Sequence, residues 1–103
     1  MVKYGKFRLF LQFEWDLLKE ISNIEKHGVS FGEASQTFYD PMSFIVEDVK
    51  HSSLEARFYW VGKSELNRVL TTRFTVRGSI ARIFGSAEWR EFREQYYEKA
   101  RHK

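Results

Sequence analysis

Lys26-His27-Gly28-Val29-Ser30-Phe31 joins two helical patterns, and the rest of the chain can be read outward from it. Gly28 offers the left-handed geometry that commonly closes a helix. Ser30, with Glu33 three residues on, has the spacing of a capping box that opens the next helix. A cation and an imidazole are thereby placed at a tight corner. Upstream, Phe13-Glu14-Trp15 leads into Asp16, a good N-cap for a helix running to about His27. Leu17, Ile21 and Ile24 recur along that helix at the spacing of an apolar face. Lys19, Asn23 and Lys26 fall on a neighbouring stripe, because positions three and four apart stack. Downstream, Phe31, Ala34, Ser35 and Phe38 share one face of a shorter helix. Asp40-Pro41 stops it, since the residue before a proline avoids the helical region.

Beyond the corner the period changes from helical to alternating. Before it, Phe7, Leu9, Leu11, Phe13 and Trp15 alternate with polar residues, a strand pattern broken only by Phe10. Residues 1–6 read as a loose leader to a single domain spanning residues 1–103. After Met42, Phe44 and Val46 suggest a partly two-sided strand, and Asp48 to Ala56 is a polar connection. Arg57–Lys63 and Arg68–Val76 are strands joined at Ser64-Glu65-Leu66-Asn67. A tight turn at Arg77-Gly78 leads to a fifth strand, Ser79–Gly85. A last helix follows from about Ala87, capped by Ser86, with Trp89, Phe92 and Tyr96 on one face. The expected fold class is α+β: an antiparallel sheet of about five strands, two helices after the first strand, and one at the C-terminus.

Bulk properties narrow the possibilities. A chain of 103 residues suits one core, and 43% hydrophobic and 17% aromatic residues are enough to fill it. Seventeen Lys plus Arg against 14 Asp plus Glu leave a net charge of +3, too mild to identify a nucleic-acid binder without knowing where the charges lie. With no cysteine there is no disulfide or thiolate metal site, which suits a reducing cytoplasm. The apolar run at residues 7–13 is too short and interrupted for a membrane span and lacks a cleavage site, so a soluble cytoplasmic protein is expected. His27, His51 and His102 are isolated, which gives no metal-ligand set and no expected cofactor. Nothing resembles a nucleophile elbow or a phosphate-cradling glycine loop.

The hairpins allow a sharper expectation. A two-residue loop at Arg77-Gly78 pairs Val76 with Ser79 and sets Arg73 opposite Arg82. A loop at Ser64–Asn67 pairs Lys63 with Arg68 and sets Phe58 opposite Arg73. One face then carries Phe58, Trp60, Thr71, Arg73, Thr75, Arg82 and Phe84, and the other carries Val61, Leu70, Phe74, Ala81 and Ile83. Like charges directly across two strands repel by up to roughly 1 kcal/mol. A bound phosphate would compensate, since guanidinium forks match phosphate oxygens, and nearby aromatics would stack unpaired bases. The plainer alternative extends both arginines into water or pairs them with carboxylates. A different loop length would shift the register and remove the inference.

The ordered set Phe13-Glu14-Trp15-Asp16, Lys19, Asn23, Lys26-His27-Gly28-Val29-Ser30-Phe31, Ala34, Phe38, Asp40-Pro41, Asp48, His51-Ser52, Glu55 and Arg57 resembles the BrnT toxin family. The resemblance continues through Gly62, Ser64, Leu70, Thr75, Arg77-Gly78 and Arg82-Ile83, and covers nearly everything from Phe13 to Glu98. It implies a RelE-like fold and a metal-independent endoribonuclease toxin of a type II toxin-antitoxin system that inhibits translation. The implied partners are RNA and a BrnA-like antitoxin with a ribbon-helix-helix DNA-binding domain, in an oligomeric complex. RelE-like chemistry would need a base, an acid and cations around the scissile phosphate. His27 and His51 are the candidates for base or acid, since imidazole is the side-chain type suited to proton transfer at working pH. Lys26, Arg73 and Arg82 are the candidate phosphate ligands. Arg77, Arg90, Phe58 and Trp60 are the candidate RNA contacts. Equally, His27 could serve the helix terminus, where a cation is favoured, and His51 could belong to a local turn. The chain departs from many members in carrying Phe84-Gly85-Ser86-Ala87 after Arg82-Ile83, without the usual arginine at position 87. If that arginine holds the phosphate, Arg73 or Arg90 must replace it. Without such a replacement activity is reduced; the alternative reading is a non-catalytic RNA- or antitoxin-binding module, a degenerate toxin.

Overall fold

The computed structural model describes residues 12–102; the expected leader and strand residues Phe7–Leu11 lie outside them. The elements run β1 (Gln12–Glu14), α1 (Leu17–His27), α2 (Phe31–Gln36), β2 (Phe44–Glu47), β3 (Arg57–Lys63), β4 (Val69–Arg77), β5 (Ile80–Ala87) and α3 (Arg90–Arg101), with short 3-10 turns at Thr37–Tyr39 and Val49–His51. This is the α+β architecture expected. The sheet order is β1-β5-β4-β3-β2, antiparallel except that β1 lies parallel to β5. The sheet is therefore mixed.

The corner forms as its residues dictate. Asp16 caps α1 by accepting from the Leu18 and Lys19 amides, and Gly28 closes it at φ 68°, its amide donating to the Ile24 carbonyl at 2.8 Å. Ser30 Oγ accepts from the Glu33 amide at 3.0 Å and starts α2. The capping box is only half made, because the Glu33 carboxylate turns to Arg68 and Ser64 instead. The Arg68 guanidinium, first of all, holds that carboxyl below its usual range. Asp40 ends the helical stretch and then ties three elements together. Its side chain accepts from the Met42 and Lys63 amides, and from Tyr96 Oη of α3 at 2.6 Å.

Two apolar clusters lie on opposite faces of the sheet. Phe31, Ala34 and Phe38 pack on Ile45, Trp60, Phe74, Ala81 and Ile83. Full burial of each large side chain there contributes about 1.5–3 kcal/mol. Val61, Val69 and Tyr96 form the other cluster, joined by Phe44 and Phe92. The α1 stripe does not contribute: Leu17, Ile21 and Ile24 are 64%, 46% and 45% exposed. It is the polar stripe that docks. Asn23 donates to the Val29 and Ser86 carbonyls and accepts from the Ser86 amide, so α1 hydrogen-bonds the edge of β5 past the point where β1 stops.

The strand register differs from the expected one in three places. The β3–β4 connection is one residue longer, so Lys63 pairs with Val69, and Tyr59, not Phe58, lies opposite Arg73. Asn67, at φ 68°, takes the left-handed position of that loop. The β4–β5 loop is Gly78-Ser79, with Arg77 paired to Ile80 and Thr75 to Arg82. A β-bulge then intervenes, Phe74 pairing with Ile83 and Arg73 with Gly85, which leaves Phe84 as the extra residue. Arg73 and Arg82 share a face but are not opposite each other. Phe58 and Trp60 lie on the core face, because a one-residue slip exchanges the two sides of a strand. Finally, β5 continues through Ala87, and α3 starts three residues later than expected, with Trp89 at its N-cap and no side-chain cap from Ser86.

Candidate functional site

The parallel β1 and the helix α1 divide the edge of β5 between them, and a cleft opens where α1 takes over. Lys19, Ser22, Asn23 and Lys26 recur at positions three and four apart, and His27 follows at the helix end. With Arg57 of β3, Arg73 of β4 and Phe84 of β5, they line a cavity of about 350 Å³. Arg57 and Arg73 reach it from one sheet face, since their strands pair in a register that keeps them on the same side. The bulge re-aims Phe84 toward them. Gly85 lies directly under Arg73: a Cβ at this glycine would stand 2.8 Å from Arg73 Nη2. The guanidinium thus occupies the space that a side chain would need.

The cleft carries unusual charge for its size. Among the described residues, four cations and an imidazole line it, and no carboxylate does. Among the described residues, none of Lys19, Lys26, Arg57 and Arg73 has an ion-pair partner. Arg68, Arg77, Arg82 and Arg90, by contrast, each lie against a carboxylate. Such a cleft attracts an anion with several oxygens, and the planar guanidinium of an arginine can hold two oxygens at once.

Three candidates from the sequence, Lys26, His27 and Arg73, come together here. The others do not. Arg82 Nη1 pairs with Glu14 at 3.0 Å, and Arg77 pairs with Glu55 at 3.3 Å and Glu14 at 3.8 Å. Arg73 and Arg82 are not directly opposed, and carboxylates compensate Arg77 and Arg82. Arg90 is an exposed residue of the first turn of α3, paired with Glu94 at 3.3 Å. Trp60 is 2% exposed, and its indole donates to the Thr37 carbonyl, so it offers no platform to a base. Phe58 packs on Phe74 with ring centroids 5.5 Å apart. Ala87, the position at which the family resemblance leads one to expect arginine, is buried opposite Thr71 and is not part of the cleft.

His51 opens on a neighbouring cavity of about 320 Å³, lined also by Lys50, Ser53, Leu54, Glu55 and Arg57. Arg57 lines both cavities. His51 Nδ1 lies 2.8 Å from Asp48 Oδ2. Tyr59 sits between Asp48 and Arg73; burial, and then the Asp48 carboxylate beside it, push its phenol up. Sequence reasoning alone does not pick out Lys19, Ser22, Asn23, Arg57 and Phe84 as site residues. The helical spacing of Lys19, Asn23 and Lys26 was the available signal, whereas nothing local marked Phe84. Among the described residues no cluster of His, Asp or Glu could hold a metal ion, and no helix is long and apolar enough to cross a membrane.

Comparison with known proteins bears on the fold and the family. Among curated proteins none matches the chain. Among solved structures, the fold is similar to that of the Brucella abortus ribonuclease toxin BrnT. The TM-score is 0.59 at 18% identity, over 76% of this chain and 95% of that one. At that identity the likeness establishes the fold. The family profile for "ribonuclease toxin, BrnT, of type II toxin-antitoxin system" matches residues 15–91, from the entry to α1 through the start of α3. The chain therefore belongs to the BrnT family of ribonuclease toxins of type II toxin-antitoxin systems.

Proposed function

We propose that this chain is a metal-independent endoribonuclease that arrests translation by cutting RNA, with the α1–β5 cleft as its active site. The observation that carries the reading is the cleft itself: Lys19, Lys26, Arg57 and Arg73 converge without a carboxylate beside His27. An RNA 2′-hydroxyl gives its proton to a base and attacks the adjacent phosphorus. The P–O5′ bond breaks, the 5′ oxygen takes a proton from an acid, and a 2′,3′-cyclic phosphate remains. Imidazole can perform either proton transfer. His27 is the imidazole at the cleft. The surrounding cations stabilise the charge that develops on the phosphate oxygens, and Arg73 holds it in place of the arginine missing at position 87. His51, held by Asp48, faces the RNA strand as it leaves across Arg57. Arg77 and Arg90 lie against carboxylates and would contact the strand only by giving up those partners.

The natural partner on this reading is a BrnA-like antitoxin with a ribbon-helix-helix domain, which covers the cleft in an oligomeric complex in the cytoplasm. Expression of the full chain alone should arrest growth, and co-expression of the antitoxin should restore it. Purified protein should cut single-stranded RNA in EDTA and leave cyclic phosphate ends. Folded protein that does neither would sink the nuclease reading. If that protein still bound RNA or antitoxin, it would instead be the non-catalytic binding module.

A further inference from the structure

Phe84 stands out as an aromatic side chain that the core does not need. It is half-buried, belongs to neither apolar cluster, and owes its direction to the bulge between β4 and β5. The Arg57 guanidinium carbon lies 4.3 Å from the centroid of its ring, and Lys19 Nζ lies 5.3 Å from the same centroid. Both distances fall within the roughly 6 Å reach of a cation–π contact.

Those distances place the two cations no more than about 10 Å apart, which is close to the Debye length at moderate salt. Like charges at that range repel, less so as salt rises, and a group that attracts both offsets the repulsion. Proteins usually do this with a carboxylate, as Glu14 does between Arg77 and Arg82. A carboxylate, however, cancels the charge that it gathers. The face of a benzene ring attracts a cation through its quadrupole and leaves the full charge available. For a site that must meet a polyanion, the ring is the better clamp.

We infer that Phe84 is a positioning residue of the cleft: its ring gathers Arg57 and Lys19, uncancelled, so that both meet the phosphates of one single-stranded RNA segment. The inference rests on the reading of the cleft as an RNA site and specifies how this chain builds it. Arg57 also lines the His51 cavity, so the clamped guanidinium stands where the strand passes from one cavity to the next.

The test uses the full-length protein and a single-stranded oligoribonucleotide with 2′-O-methyl groups, which binds but cannot be cut. Binding is read by fluorescence anisotropy for wild type, Phe84→Leu, Phe84→Tyr and Phe84→Trp. Leucine fills similar space without a quadrupole and should weaken binding about 3- to 30-fold. Tyrosine and tryptophan should stay within about threefold of wild type, because they keep the π face. A packing role would make leucine the mildest change, and that order would overturn the inference, as would Phe84→Leu binding like wild type. If Phe84→Leu fails to fold, the wild-type NMR spectrum decides. The Arg57 side-chain protons must show upfield ring-current shifts that Phe84→Tyr preserves, and their absence refutes the clamp. Should wild type itself not bind the oligonucleotide, the RNA-site reading falls and takes this inference with it. Wild-type binding with an unaffected leucine variant removes the clamp alone.

Discussion

Replacing Asn23 tests the joint on which the cleft depends. This buried side chain makes three hydrogen bonds: Nδ2 to the Val29 carbonyl at 2.9 Å, Nδ2 to the Ser86 carbonyl at 2.8 Å, and Oδ1 from the Ser86 amide at 3.1 Å. A net 0.5–1.5 kcal/mol for each gives about 2–4 kcal/mol for Asn23→Ala. For a domain of this size that is a fall in Tm of about 10–25 °C, measured by circular dichroism at pH 7. Asn23→Asp is more revealing. One carboxylate oxygen can still accept from the Ser86 amide, but the other would face two carbonyl oxygens. The two facing carbonyls push its folded pKa above the unfolded value of about 3.9, and the cations of the cleft work against that rise. The variant is penalised at neutral pH and regains stability as the pH falls through that raised pKa. At pH 7 it should melt no higher than Asn23→Ala, and the order should reverse once the pH falls below the raised pKa. An Asn23→Ala variant melting within about 4 °C of wild type would refute the assignment of α1's docking to this residue.

Other expectations follow from the same geometry. Arg73→Ala should lower RNA cleavage by about 100-fold or more with little change in Tm, the scale of removing one charge-stabilising donor. Arg82→Ala breaks a half-exposed pair with Glu14, should cost under about 1 kcal/mol, and should keep most of the activity. Equal losses in the two would return Arg82 to the active site. Gly85→Ala places a methyl group against the far end of Arg73, so cleavage should fall about 10- to 100-fold while the melt changes little. Unchanged activity there would mean that the Arg73 head group need not sit where it does. Glu33 has a lowered folded pKa, so its contribution is complete above its unfolded value of about 4.3 and fades as the pH falls through the folded value. Glu33→Gln should cost about 1–3 kcal/mol at pH 7, less than for a wholly buried pair because Arg68 reaches solvent, and the gap from wild type should close toward pH 3 in urea titrations.

Much of the architecture was legible because its signals are local. A cap residue, a left-handed glycine and a proline stop each act within a few residues, and Asp16, Gly28, Ser30 and Asp40-Pro41 do what their chemistry suggests. The sheet was less legible because register depends on loop length. One extra residue after Lys63 moved Trp60 from the arginine face to the core, and no residue in strand β3 announces that. The apolar residues of α1 misled in a different way. Their spacing is helical, yet it is the polar stripe centred on Asn23 that meets the sheet. Lys26, His27 and Arg73 could be picked out by type and place. Lys19, Arg57 and Phe84 become neighbours only through tertiary folding, with α1, β3 and β5 supplying one each.

The bulge also bears on how such a chain can diverge. Phe74 pairs with Ile83 and Arg73 with Gly85, so the ladder would be continuous if position 84 were skipped. Loss of that one residue would leave every other cross-strand partner in place, and its return would restore the bulge without sliding either strand. The ring that faces Arg57 and Lys19 can thus be gained or lost in a single codon-length event. Elsewhere in β3, β4 or β5, an insertion of the same length would turn one stretch of the sheet inside out. A lineage with this fold can therefore change how its cleft is furnished without renegotiating its core.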